Sequence, residues 1–319
     1  MGDRSVLLVG LGTIARTHVD VLSALDGFAL VGGVDPRPAL ADVAPVFGDL
    51  DAAFDAGLRP DLVVVATPTP THVAIVADLL ERCDATVLSE KPLSTTRSEV
   101  AELERLAGRD RVATGVRVAH HFAFSPEVEW ARGTVERNPG WGRPSSILSV
   151  FNDRYAGLPP TQRASYVSSW VDSGPNQLSI VAAFAREWTV VSHDDRGDRA
   201  VTTLDHEGGR TLLSSNWLAA DTSKQTTIRF DDVGVEIRMD HTSMTGLLLV
   251  DGEIVEHAGY TESAGRKEAH YLGLYRALRD DPDDVRLSVE LARTIAATLE
   301  SGAGVAPSAL QWSSVTDDP

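Results

Sequence analysis

The chain has 319 residues, with 29 Lys+Arg against 46 Asp+Glu and a single cysteine; at roughly 150 residues per domain this predicts about two domains. A formal charge of −17 argues against nucleic acid or an anionic membrane as partner, because phosphates are repelled. Cys83 can form no internal disulfide and lacks zinc-type spacing, so no metal is expected. The opening MGDRSVLLVG has no basic n-region with a cleavable apolar core, and no run of about 18 apolar residues occurs. A soluble, cytoplasmic protein is the expectation.

Through the first 120 residues short apolar runs alternate with amphipathic stretches. Residues 5–9 (SVLLV) form a strand-like run ending at glycine, and 13–25 carries Ile14, Val19, Val21, Leu22 and Leu25 at roughly helical spacing. Further strands are predicted over 29–34, 62–66, 85–88 and 111–116, with helices over 70–82 and 95–107. Continuous apolar strands alternating with helices predict a parallel α/β sheet covered on both faces.

After about residue 121 the pattern changes. A helix is predicted over 126–137, a strand over 145–152, an irregular aromatic stretch to Trp170 and a helix over 174–187. Strand candidates follow at 188–193, 200–205, 211–217, 225–230, 235–239, 247–250 and 254–257, joined by Asp- and Gly-rich connectors. Short strands joined by tight turns predict an antiparallel sheet. Helices over 267–278 and 288–299 close the chain. The expected organisation is a dinucleotide-binding domain over 1–121 and an α+β domain with an open, mainly antiparallel sheet over 122–319.

Gly10-Leu11-Gly12-Thr13-Ile14-Ala15 lies between the first strand and the first helix. In such a GxGxxA turn the first glycine permits the tight turn, the second admits a pyrophosphate, and the small third residue permits helix–strand contact. The helix N-terminus adds about half a positive charge where the phosphates lie. Two glycines can also serve a βα turn alone. Asp35, ending the second strand where a carboxylate binds both ribose hydroxyls, selects the dinucleotide reading. It favours NAD because it repels a 2′-phosphate; Arg37, two residues on, is placed to soften that preference, so NADP stays open.

Thr67-Pro68-Thr69-Pro70-Thr71-His72 follows the strand at 62–66. It is a stiff loop with free hydroxyls at the carboxyl edge of the sheet, where ligands of such folds bind, and His72 stands at a helix start. Ser89-Glu90-Lys91-Pro92 ends the next strand, poising Lys91 to hydrogen-bond a substrate hydroxyl or a ribose. The Lys91–Pro92 bond is open between cis and trans. The cofactor set on these motifs is Gly10, Gly12, Thr13, Ile14, Asp35, Arg37, Thr67, Pro68, Thr69, His72, Glu90 and Lys91.

GLGTIA, the VDP holding Asp35, ATPTPTH and the strand-terminal Glu90-Lys91-Pro92 resemble, in order and spacing, the glucose–fructose oxidoreductase/inositol dehydrogenase (Gfo/Idh/MocA) family over the first 120 residues. The resemblance implies an N-terminal Rossmann domain, NAD(P)-dependent oxidoreductase activity, and a second domain whose open sheet mediates a homo-oligomer, dimer or tetramer.

Asp172-Ser173-Gly174-Pro175-Asn176 opens the helix expected at 174–187, with Asp172 or Ser173 as its cap and Pro175 in the first turn. The helix dipole favours an ionised Asp172, as a base accepting a hydroxyl proton requires, although Asp is also a common cap. Members of the family usually carry D-x-G-x-H at this place; here Asn176 takes the histidine's position. The string DSGPNQLSI is similar to the D-P-G-I-N-A-L-S-I pattern of aldose 1-dehydrogenases acting on galactose or arabinose. That likeness implies Asp172 as acid/base and Asn176 as a sugar contact. The same subgroup places His121 near the sugar, though adjacent histidines also suit a domain junction. Asn152 and Trp170, a polar strand end and an aromatic, suit a ligand with hydroxyls and an apolar face.

The function expected is an NAD(P)-dependent sugar dehydrogenase. Hydride leaves a ring carbinol, C1 of an aldose giving a lactone, with Asp172 as base and Lys91 orienting the hydroxyl. One alternative moves the chemistry to another ring carbon of a cyclitol or nucleotide-linked ketosugar. The other is a non-catalytic NAD-binding regulatory protein, against which Lys91 and Asp172 speak.

Overall fold

The computed structural model describes residues 2–37, 45–159, 163, 166–261 and 264–304, with side chains to residue 301; the end of the expected second domain, 305–319, lies outside the described residues. Two sheets organise the chain. The first contains β1 (Arg4–Val9), β2 (Phe28–Val34), β3 (Val46–Phe47), β4 (Leu62–Val65), β5 (Thr86–Glu90) and β6 (Val116–Ala119), all parallel, in the order β3-β2-β1-β4-β5-β6. Leu62 to Val65 are wholly buried, as strands covered on both faces must be. Helices α1 (Thr13–Ala24), α2 (Leu50–Asp55), α3 (His72–Arg82), α4 (Arg97–Ala107) and α5 (Arg109–Gly115) alternate with them.

Two details depart from the sequence pattern. The strand expected at 111–116 is instead α5 followed by β6. Its buried positions Val112 and Gly115 are three apart, which is helical spacing, and the strand begins only where Val116 pairs with Val87. The short β3 and α2 were not expected; Asp49 caps α2 by accepting the Ala52 N–H at 2.8 Å, a local signal of the N-cap kind.

The second sheet has eight strands: β7 (Ser146–Arg154), β8 (Trp188–Asp195), β9 (Arg199–His206), β10 (Gly209–Asn216), β11 (Leu218–Phe230), β12 (Val235–Asp240), β13 (Thr245–Val250) and β14 (Glu253–Gly259). Their order is β14-β13-β12-β11-β7-β10-β9-β8. Every pairing is antiparallel except β7 with β10, which is parallel. The exception follows from connectivity: a helix and two strands intervene before β10 returns beside β7.

Helices α6 (Pro126–Arg137) and α7 (Ser169–Ala182) cover one face of this sheet. Along β7 the residues facing α7 are Ile147, Ser149, Phe151 and Asp153, all buried, while Leu148 on the other face is 42% exposed. Helix α7 starts five residues earlier than expected because Ser168, not Asp172 or Ser173, caps it, accepting the Val171 N–H at 3.2 Å. Pro175 therefore sits inside the helix rather than in its first turn, where its missing N–H forfeits one backbone bond. The last helices, α8 (Arg266–Asp280) and α9 (Val289–Gly304), run back to the first sheet. Tyr271, Leu274 and Tyr275 join the core under β1 and α1, and Val289, Ala292 and Ala296 join the core of the other face. No helix among the described residues is long and apolar enough to cross a membrane.

Candidate active site

The glycine turn is shaped by contact. Gly10 has φ +91°, and a Cβ there would lie 2.8 Å from the Ala66 carbonyl carbon, so only glycine fits between the turn and the end of β4. A Cβ at Gly12 would meet nothing within 4 Å. Gly12 is also the N-cap of α1, with no side-chain cap on the helix. An open space above a helix N-terminus is what a pyrophosphate needs. Asp35 Oδ2 accepts the Leu11 N–H at 2.8 Å and Oδ1 the Arg37 N–H at 2.7 Å. The carboxylate is thus pinned against the turn while the Arg37 side chain stays exposed. These residues fit a dinucleotide: Gly10, Gly12, Thr13 and Ile14 would hold its phosphates, and Asp35 its ribose.

The next two loops are tied to each other. His72 is buried; its Nδ1 lies 2.9 Å from the Pro92 carbonyl and its Nε2 2.7 Å from the Thr67 carbonyl. The expected cofactor contact at His72 is therefore replaced by a brace between the Thr67–Thr69 loop and the turn after Lys91. The Thr71 hydroxyl lies 2.8 Å from Thr67 Oγ1 and 2.7 Å from the Pro68 carbonyl. The Lys91–Pro92 bond is cis.

Glu90 also differs from expectation. Its carboxylate turns away from the cofactor edge into the core, accepting from Tyr271 at 2.5 Å and lying 3.1 Å from His18 Nε2. Burial would raise the Glu90 carboxyl, but hydrogen bonds from His18 and Tyr271 and the charge on Lys91 hold it below the usual carboxylate range. Lys91, the next residue, points the other way. Its ammonium donates to the Asp172 backbone carbonyl at 3.1 Å and stands 3.7 Å from Asp172 Oδ1. Both side chains keep solvent access, 15% for Lys91 and 19% for Asp172.

Asp172 occupies the first turn of α7, where the dipole favours its negative charge. One turn on, Asn176 Nδ2 faces the Asp172 carbonyl at 3.4 Å, and its buried Oδ1 has no partner among the described residues, leaving an acceptor for a ligand hydroxyl. The remaining candidates are placed by their own contacts. Asn152 faces the sheet side away from α7 and bonds Ser223 at 3.1 Å; side-chain alternation puts Asp153, not Asn152, toward the helix. Trp170 is 2% exposed, packed against His193 and Gly174, so it is core and not a stacking surface. His121 is stacked on Tyr271 at 4.8 Å, its Nδ1 3.4 Å from His270 Nδ1, which places it in the junction between the two lobes.

Near Asp172 stand Asp153, which belongs to the polar strand end read in the sequence with Asn152, and two residues that escaped that reading, Lys224 and Tyr155. Asp153 accepts from Lys224 at 2.5 Å, both nearly inaccessible, and lies 3.5 Å from the Ser173 hydroxyl. Burial pushes the Lys224 ammonium below its usual value, against the pull of Asp153 and Asp172. Tyr155 has its phenol pushed up by burial and by the charges of Asp172 and Asp153. Counting side chains along β7 would have preferred Asp153 to Asn152; nothing local marks Lys224.

A six-stranded parallel sheet in this order, with a glycine turn after β1 and an acid after β2, defines a dinucleotide-binding Rossmann protein. Residues 4–119 match the Gfo/Idh/MocA oxidoreductase family, NAD-binding Rossmann fold, so this part of the chain is similar to that family's dinucleotide-binding domain. It is 25% identical over 178 residues to the rhizopine catabolism protein MocA of Rhizobium meliloti, a stretch covering 54% of each chain. The match thus spans about half the length of that curated relative. In fold it is similar to a myo-inositol dehydrogenase from Corynebacterium glutamicum (TM-score 0.74, 17% identity, 95% of this chain and 96% of that one). It is also similar to an oxidoreductase from Agrobacterium radiobacter in complex with NAD+, L-tartaric acid and magnesium (TM-score 0.77, 16% identity, 94% and 96%).

Proposed function

We propose that the protein is an NAD(P)-dependent dehydrogenase of sugars or cyclitols, oxidising a ring carbinol, with C1 of an aldose and a lactone product as the favoured case. The observation that carries the reading is the approach of the Lys91 ammonium to both the carbonyl and the carboxylate of Asp172. A donor and a base side by side, each part-exposed, can take hold of one hydroxyl group between them. When bound, NAD would supply the acceptor for the hydride leaving the carbinol carbon.

The chain's own residues supply the rest. Asp172 accepts the hydroxyl proton at its carboxylate, while Lys91 donates a hydrogen bond to the same oxygen and stabilises the negative charge that grows there. Asn176 has an amide and no ionisable proton, so it orients a neighbouring hydroxyl through its free Oδ1 and takes no part in proton transfer. Asp153, Lys224 and Tyr155 form the polar wall behind, suited to a ligand rich in hydroxyls. The favoured cofactor is NAD, since Asp35 would repel a 2′-phosphate.

The test is reduction of NAD+ and NADP+ by the purified protein across a panel of aldoses and cyclitols, followed by trapping of product with hydroxylamine. Turnover with an aldose and formation of a hydroxamate support oxidation at C1. A stable ketone moves the reaction to another ring carbon, as the likeness to a myo-inositol dehydrogenase allows. Binding of NADH with no turnover on any polyol would overturn the enzymatic reading.

A further inference from the structure

Behind Lys91 lies a buried polar cluster that the reaction as described does not use. His18, on α1, has Nε2 3.1 Å from Glu90 Oε1 and Nδ1 2.8 Å from the Tyr275 hydroxyl. Tyr271, on α8, donates to Glu90 Oε1 at 2.5 Å. Glu90 Oε2 accepts the backbone N–H of Lys91 at 3.2 Å. His18 and Tyr275 are fully buried, Tyr271 is 1% exposed and Glu90 6%. One histidine tautomer satisfies every bond: Nε2–H donates to Glu90 and Nδ1 accepts from Tyr275.

This is an expensive arrangement to keep for packing alone, because a buried carboxylate needs several donors to offset its lost hydration. Its bonds converge on the Glu90 carboxylate, whose Oε2 in turn holds the backbone N–H of Lys91. The donors come from two helices far apart in sequence. One is α1, whose N-terminus carries the glycine turn; the other is α8, which returns after the second sheet. The remaining charged or titratable groups facing Glu90 are His120 and Lys91 itself. On the opposite side, the Lys91 side chain reaches across to Asp172 on α7.

We propose that Glu90, gripped by His18 and Tyr271, is a positioning residue that fixes the Lys91 backbone so that its ammonium meets Asp172 in the reactive alignment. The proposal rests on the catalytic reading of Lys91 and Asp172 but concerns different residues. Glu90, His18 and Tyr271 touch neither substrate nor cofactor and act through the lysine.

The test uses Glu90→Gln and Tyr271→Phe in the full chain. Removing one donor to a charged acceptor lowers kcat about tenfold or more, while the KM for the substrate and the Kd for NADH stay within about twofold, since substrate and dinucleotide contacts are intact. Tyr271→Phe keeps the ring stacked on His121, and it carries the test where Glu90→Gln does not fold. A second readout needs no substrate: the rate at which Lys91 is acylated by an amine-reactive reagent at fixed pH, followed by peptide mass mapping. Release from Asp172 makes this severalfold faster in both variants. Folded variants with wild-type kcat, or with wild-type labelling of Lys91, overturn the proposal. A wild-type protein inert toward every polyol removes the catalytic reading instead, and the labelling rates then decide this one.

Discussion

Lys91, at the end of one sheet, donates at 3.1 Å to the backbone carbonyl of Asp172, at the start of a helix on the other, and its ammonium lies 3.7 Å from the Asp172 carboxylate. One side chain thus spans the cleft between the lobes. Both side chains keep part of their solvent access, 15% and 19%, and the function proposed above gives the pair a chemical use.

Asp172→Ala is therefore expected to lower kcat by about 10²-fold or more, the range of general-base assistance, with little effect on the melting temperature. The NADH dissociation constant, read by fluorescence, should stay within about twofold because Asp172 is remote in the chain from the glycine turn. Near wild-type turnover in this variant would remove Asp172 as the base.

Asp35 accepts amides from Leu11 and Arg37, and in the reading proposed above its charge meets the ribose. Asp35→Ser removes the repulsion toward a 2′-phosphate and leaves the exposed Arg37 to pair with it. The ratio of kcat/KM for NADP+ to that for NAD+ should rise about tenfold or more, as expected for one close charge contact. An unchanged ratio would place the discriminating group elsewhere.

The Asp153–Lys224 pair is buried on both sides, with 7% and 8% side-chain exposure. Breaking it with Lys224→Met strands a carboxylate and is expected to cost about 3–5 kcal/mol of stability, whereas the double change with Asp153→Leu recovers most of the loss. Urea unfolding of the three variants measures the difference.

Acid should unfold the protein through its buried histidines. Burial pushes His120 down to about 4, His270 down to about 3, and His121 well below its ordinary value. In the unfolded chain an imidazole titrates near about 6.5. Between these values the unfolded state binds protons that the folded state refuses, so stability is complete above about pH 6.5 and falls as the pH drops. Glu90 and Glu127, whose carboxyls are held below the ordinary range, add their loss only under about pH 4.3. Urea midpoints at pH 7, 6 and 5 should decline in order. Replacing His270 with Asn should flatten that slope, and an unchanged slope would mean that His270 takes up its proton without unfolding.

The first half of the fold was readable because its signals are local. A parallel strand covered on both faces must be apolar along its covered length, and residues 6–9 and 62–66 are. The glycine turn, Asp35 and Lys91 could be placed because each ends a strand, and strand ends of such a sheet converge on one edge. Where local signals competed, the reading slipped. The stretch at 111–116 is too short to separate helical from strand spacing, and Asp172 resembles a cap as well as Ser168 does.

The second lobe's part of the site was less legible, for a reason visible in three residues. Asn152 and Asp153 are neighbours on opposite faces of β7, so a shift of one position exchanges a surface side chain for one facing α7. Trp170 has the composition of a sugar-stacking group but lies in the core. Lys224 resembles any solvated lysine until the strand pairing sets it opposite Phe151, within 4.6 Å of the ring and beside Asp153.

Periodicity and turn chemistry act between residues close in the chain, and they suffice for the Rossmann sheet, the glycine turn and the place of Lys91 at a strand end, whereas Asp172 stood out only through the resemblance of its D-x-G-x-N segment to known sugar dehydrogenases. That Lys91 meets Asp172, that Glu90 faces inward to His18 and Tyr271, and that His72 braces two loops depend on chain segments brought together from far apart. Contacts of that kind are set by how two sheets and two returning helices pack, and packing leaves no spacing for a linear pattern to carry.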